Sequence, residues 1–144
     1  MSIPISFQII HDRGVVLAKL TGRVLMQDCL SAAAAYARHP EARPTQPLLI
    51  DLSAVTGHET DYVKILQAMA RLPDYLWHRG TERLVVCLAP HALSRQISAA
   101  AARAILEIPE GIARIAQTEA DALEILGLPE RRLCDLSQGS ARNR

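Results

Sequence analysis

The stretch PLLIDLSAVTGHETDYVKIL, residues 47–66, decides the fold. Leu48, Leu49, Ile50 and Leu52 make an apolar run too short for a helix, and a run of this kind marks a strand buried on both faces. Polar residues then crowd together at His58, Glu59, Thr60 and Asp61 before an apolar rhythm of helical period begins at Tyr62. A buried strand that passes through a polar turn into an amphipathic helix is the repeating unit of a parallel α/β sheet.

The same unit recurs on both sides. Towards the amino terminus, Ile3, Ile5, Phe7 and Ile9 alternate with polar residues, which predicts a half-buried strand over 3–10. Pro4 suits an edge position, His11-Asp12-Arg13-Gly14 suits a hairpin turn, and VVLAKLT predicts the second strand. Residues 26–38 are expected to be helical, with Met26, Cys29, Leu30, Ala33 and Ala37 on one stripe and Pro40, Pro44 and Pro47 preventing continuation. After the central strand, a helix starting near Thr60 or Asp61 is expected to bury Tyr62, Ile65, Leu66, Met69 and Leu72, with Pro73 ending or kinking it and DYLWHRG able to add a further turn or two. ERLVVCLA is the fourth strand, 91–108 a long helix, IARIA a short fifth strand, and TEADALEILGL a last helix that Thr118 caps and Gly127 stops. The expectation is one α/β domain over 1–129, with a mixed, mostly parallel five-stranded sheet and about four helices in the order β-β-α-β-α-β-α-β-α. The polar residues 130–144 are expected to form a mobile tail.

Composition removes several functions. The 144 residues are 49% apolar, enough for one core, and carry a net charge of +1, which gives nucleic acid or an anionic membrane little to attract. The aromatics are Phe7, Tyr36, Tyr62, Tyr75 and Trp77, too few for base stacking, so no nucleic-acid partner is expected. Cys29, Cys87 and Cys134 match neither a C-x-x-C pair nor a zinc pattern. No segment approaches the ~20 apolar residues that span a bilayer, and MSIPISFQIIHDRG lacks the basic start of a secretory signal. The expectation is a reduced, cytoplasmic protein without a transmembrane segment.

The order of elements, with GVVLAKLTGRV, PLLIDLSAVTG, ERLVVCLAP and IARIAQTEADALEILGL, resembles the STAS domain superfamily, in particular its SpoIIAA-like (STAS/SEC14) branch. The resemblance covers roughly residues 3–128 and rests on hydrophobic patterns, so it implies fold more than activity. In the anti-sigma-factor antagonists of this fold, the loop after the third strand carries Asp-Ser-Ser/Thr-Gly, with a phosphorylated serine. That motif falls near Glu59-Thr60-Asp61-Tyr62, where Tyr62 replaces the glycine, Asp61 lies near the phosphoserine position and only Thr60 keeps a hydroxyl. The likeness of the branch to Sec14-type carriers implies an apolar ligand beneath the helices.

Ligands of open α/β sheets collect at the carboxyl ends of the strands. Here those ends supply Thr56, His58, Glu59, Thr60, Asp61 and Tyr62 from one loop and His91, Ser94 and Arg95 from the next. Thr60 and Asp61 suit a helix N-cap, and Thr60 is also the candidate phosphorylation site. His58, Glu59 and His91 are residue types that suit zinc, but no His-x-x-x-His pair or third strong ligand accompanies them, so no metal and no cofactor is assigned. Ser94, His91 and Asp51 could be drawn as a triad, yet no G-x-S-x-G elbow supports it. Asp51 interrupts an apolar strand and is expected to bond backbone N–H groups or an arginine such as Arg23. Only Lys19 and Lys64 are lysines, so arginine supplies nearly all the positive charge, which suits a solvated rim or anion docking.

The functional expectation is a non-enzymatic regulatory or ligand-sensing module. It would dock a protein partner, or a small apolar or anionic ligand, at this lip. The alternative is a carrier of lipid or another hydrophobic small molecule, and a third reading is a metal-dependent or hydrolytic enzyme using His58, Glu59 and His91. A homodimer and peripheral lipid contact are compatible with the first two.

Overall fold

β1 (Ile5–Ile10) and β2 (Val15–Val24) form the opening hairpin of a computed structural model that describes residues 4–136. Its turn closes through Gly14, whose N–H donates to the Ile10 carbonyl at 2.9 Å and whose φ of 64° demands glycine. The remaining elements are α1 (Met26–Arg38), β3 (Leu48–His58), α2 (Tyr62–Leu76), β4 (Arg83–Leu88), α3 (Ala92–Leu106), β5 (Gly111–Ala116) and α4 (Glu119–Ile125). The strands lie in the order β1-β2-β3-β4-β5, with β1 antiparallel to β2 and every other pair parallel. This is the mixed sheet that the alternating apolar segments require.

A sheet whose parallel strands follow one another in sequence, joined by right-handed crossovers, carries those crossover helices on one face. Tyr36 of α1, Leu76 of α2 and Ile105 of α3 accordingly meet Val16, Leu52, Val85 and Cys87 in one apolar layer. The opposite face is covered by α4 and the chain that follows it: Leu123, Leu133 and Leu136 pack on Ile10, Val15, Leu49 and Val86. Gly111 marks the tightest join, because a Cβ there would stand 2.2 Å from the Ile105 carbonyl oxygen at the end of α3.

Four expectations need correction. β3 continues to His58, beyond the PLLIDLS expected as the strand, because a register shift between Asp51 and Ala54 lets both Leu52 and Val55 face the same core layer and β2 keeps pairing as far as Val24–His58. α1 buries Tyr36, not Ala37, which is exposed. α2 runs through Pro73 to Leu76, the further turn that DYLWHRG allowed, and the bond that the proline gives up would have gone to the carbonyl of half-exposed Met69. The buried stripe of α2 is turned: Ala68 is fully buried, Ile65 and Leu72 partly, whereas Tyr62, Leu66 and Met69 face solvent. Finally, the packed body does not stop at 129. Leu133 and Leu136, one helical turn apart, are buried, and the Leu133 N–H donates to Glu119 Oε1 at 2.7 Å. Of the expected tail, 137–144 lie outside the described residues.

Candidate functional site

The lip after β3 is built around a buried carboxylate. Glu59 is held by its own N–H, which donates to the Val24 carbonyl at 2.7 Å. Its Oε1 accepts from the Met26 N–H at 3.4 Å and its Oε2 from the Asp61 N–H at 3.3 Å. Leu25, the N-cap residue of α1, has no side chain able to cap, so Glu59 supplies an acceptor from a distance and sets negative charge at the positive end of that helix. Asp61 is the N-cap of α2: its Oδ1 accepts from the Val63 N–H at 3.0 Å and the Lys64 N–H at 3.3 Å. Both N-cap expectations for this loop therefore fall on Asp61. Thr60 is exposed, and its hydroxyl accepts from Arg23 Nη2 at 3.3 Å. Arg23 crosses Gly57 to get there and also donates through Nε to the His58 carbonyl at 3.2 Å. The pairing shifts register at this point, with Gly22 opposite Val55 and Arg23 opposite Gly57, so that Thr56 is the extra residue on β3.

Asp51 takes the first of its two expected kinds of partner. Its Oδ1 accepts from the Ser53 N–H at 2.9 Å and the Ser53 hydroxyl at 2.6 Å, while Arg23 is engaged elsewhere. Cys87 is buried in the middle of β4, and desolvation pushes its thiol up to about 11, so it is core and not a nucleophile.

The second loop is a helix cap. Nδ1 of His91 accepts from the Ser94 N–H at 3.2 Å, and Ser94 Oγ accepts in turn from the His91 N–H at 3.0 Å. A backbone N–H can only donate, so the imidazole proton sits on Nε2, which donates to the Ser53 carbonyl at 3.2 Å. That bond joins the two loops, as neighbouring strands should. Ser94 is fully buried, and its hydroxyl also donates to the His91 carbonyl at 2.8 Å. Arg95 is exposed and donates to the Pro90 carbonyl at 3.3 Å.

Chain geometry separates the histidines. From Ser53 to His58 the extended strand covers about 16 Å, so His58 stands far along β3 from the point where His91 touches it. His58 is exposed and its Nδ1 donates to the Glu59 carbonyl at 2.8 Å. Among the described residues no three His, Cys, Asp or Glu side chains group as metal ligands. Of the nine lip residues, Glu59 and Ser94 are interior and serve the frame. Thr56, His58, Thr60, Asp61, Tyr62 and Arg95 are exposed, and His91 is half-buried.

Sequence reasoning missed the neighbours of Tyr62. Tyr62 is 70% exposed, Val63 61%, Leu66 49% and Met69 39%, a run of large apolar side chains on the outer side of α2. α2 is apolar on two faces, and period alone does not say which one meets the core.

These features define a mixed α/β domain whose polar lip lies at the carboxyl ends of its parallel strands. The architecture is similar to the crystal structure of an uncharacterized protein from the DUF3478 family with a SpoIIAA-like fold, from Shewanella loihica PV-4. The match has a TM-score of 0.54 and 17% sequence identity, and covers 85% of this chain and 91% of that one. The fold of the chain is thus SpoIIAA-like. No protein-family model and no curated protein matches the sequence. Among the described residues no helix is long and apolar enough to cross a membrane.

Proposed function

We propose that the chain is a non-enzymatic docking module that takes a protein partner on the amino-terminal half of α2. The observation that carries this reading is the exposed apolar run Tyr62, Val63, Leu66 and Met69, which continues directly from the polar lip. Apolar side chains grouped on one exposed helix face are a recurrent basis for protein docking. Thr56, His58, Thr60 and Asp61 would form its polar rim on one side, with His91 and Arg95 beyond them. A phosphate on Thr60 would add charge at that rim beside Arg23, and Thr60 is the proposed switch. Enzymatic readings lose their parts, since His91 has both ring nitrogens engaged and Ser94 is buried in the cap.

The test places a photo-crosslinking residue at Val63 of the full chain, irradiates it in cells of its own source, and weighs the intact adducts. The expected result is one stoichiometric protein adduct that Leu66→Glu abolishes and Thr60→Glu weakens. A lipid adduct in its place would overturn the reading in favour of a hydrophobic-ligand carrier. Protein capture indifferent to Leu66→Glu would also overturn it.

A further inference from the structure

The amino-terminal end of the parallel strands, opposite the lip, holds a charge that the docking surface does not use. Arg83, the first residue of β4, is only 2% exposed. Its Nε donates to the Pro44 carbonyl at 3.0 Å, and its Nη2 donates to the Tyr36 hydroxyl at 3.1 Å and to the Arg43 carbonyl. The guanidinium also lies 5.3 Å from the centroid of the Tyr36 ring. Every one of these acceptors is neutral. Among the described residues no carboxylate forms an ion pair with Arg83, and Nη1 is buried with no hydrogen-bond partner. Burial pulls the pKa of the group below its ordinary value.

The loop over this arginine does not supply the missing charge. It runs from His39 to Pro47 between α1 and β3. Arg43 adds a second guanidinium, whose Nη1 donates to the carbonyls of Pro40 at 3.1 Å and Ala42 at 3.0 Å. The loop's one carboxylate, Glu41, is turned away to His11, at 2.5 Å. Two cations therefore share a loop whose acid is spent elsewhere. A buried ion without a counter-charge carries a heavy desolvation cost, and an unmet buried donor adds to it.

A water at Nη1 would meet the donor but not the charge, whereas an anion meets both. The side chain is enclosed, which favours the smallest anions. We propose that Nη1 of Arg83 is the donor of a small-anion site, roofed by the 39–47 loop, that takes an inorganic anion of chloride size.

Two measurements on the full chain test this. The first is crystallography in sodium bromide, with anomalous scattering used to locate the halide. A peak within hydrogen-bonding reach of Arg83 Nη1 is expected. A water there without anomalous signal, or bromide at surface positions alone, overturns the site. The second is thermal unfolding at constant ionic strength, with chloride exchanged for gluconate. The melting temperature should climb with chloride, as binding to the native state requires, and should not respond to gluconate. Arg83→Met should abolish the response while Arg103→Met, which removes an exposed arginine of α3, should retain it. A response unchanged by Arg83→Met overturns the proposal, and if that variant does not fold the bromide experiment decides alone.

Discussion

Glu59 shows how far a residue's type can mislead about its work. Beside His58 it has the look of a general base or a ligand, but neighbours along an extended chain point to opposite faces: His58 goes out and Glu59 goes in. Its two oxygens meet the first N–H of α1 and the N–H of Asp61 at the head of α2, so one side chain ties together the starts of two helices. Leucine at this position would leave both donors unmet inside the protein. Glu59→Leu is therefore expected to cost about 1–3 kcal/mol of stability, and Glu59→Gln, which keeps one acceptor, about 0.5–1.5 kcal/mol. Urea unfolding at neutral pH reads both, and an unchanged midpoint for Glu59→Leu would remove this role. His91 was legible as a polar residue at a strand end, but its use as a cap was not, because nothing in a one-dimensional pattern shows that its second nitrogen reaches back to Ser53.

At the scale of elements, existence was easier to read than orientation. The strands declared themselves because apolar runs of four to six residues bounded by Gly and Pro have few other uses. α2 is the instructive failure. Tyr62, Leu66 and Met69 form one apolar stripe and Ile65, Ala68 and Leu72 another, about a quarter-turn or more apart around the helix. α2 packs chiefly against α1, and the residue of α2 that is fully buried is the small Ala68. Ala68→Leu should accordingly overpack that join and lower stability by about 1–3 kcal/mol. Leu66→Glu, at a half-exposed site, should stay within roughly 0.5 kcal/mol. Chemical denaturation of the two variants side by side tests the facing of the helix. The reverse ranking would mean that the stripe expected from the sequence is the buried one after all, and would remove the proposed docking face with it.

The whole molecule is a sheet that must be covered twice. Three crossover helices cover one face, but after β5 only the seven-residue α4 is left for the other. Val15, Leu49, Val86 and Ile10 are buried there, more apolar surface than so short a helix can close. Leu133 and Leu136 complete the layer, and the Arg13–Glu130 ion pair fastens their approach to the β1–β2 turn. The sequence hid this, since two leucines among arginines and acids show no periodicity of their own and acquire meaning only against a sheet face already half-covered. A chain ended after Pro129 should thus lose far more than a polar tail. Burying a leucine is worth about 1.5–3 kcal/mol, so two make about 3–6 kcal/mol, set against the ~5–15 kcal/mol of an ordinary domain. The truncated chain is expected to unfold at markedly lower urea and to bind hydrophobic dye. An unchanged urea midpoint would show that the second layer closes without it. The ion pair has its own signature in pH. The Arg13 guanidinium holds the Glu130 carboxyl below its ordinary value of 4.5. A depressed acid contributes its stability above the unfolded value and loses it as the pH falls through the folded one. The stability difference between the wild-type chain and Glu130→Gln should therefore be constant near neutrality and shrink below pH 4.5. A difference that persists undiminished in acid would show that Glu130 acts through packing and not through its charge.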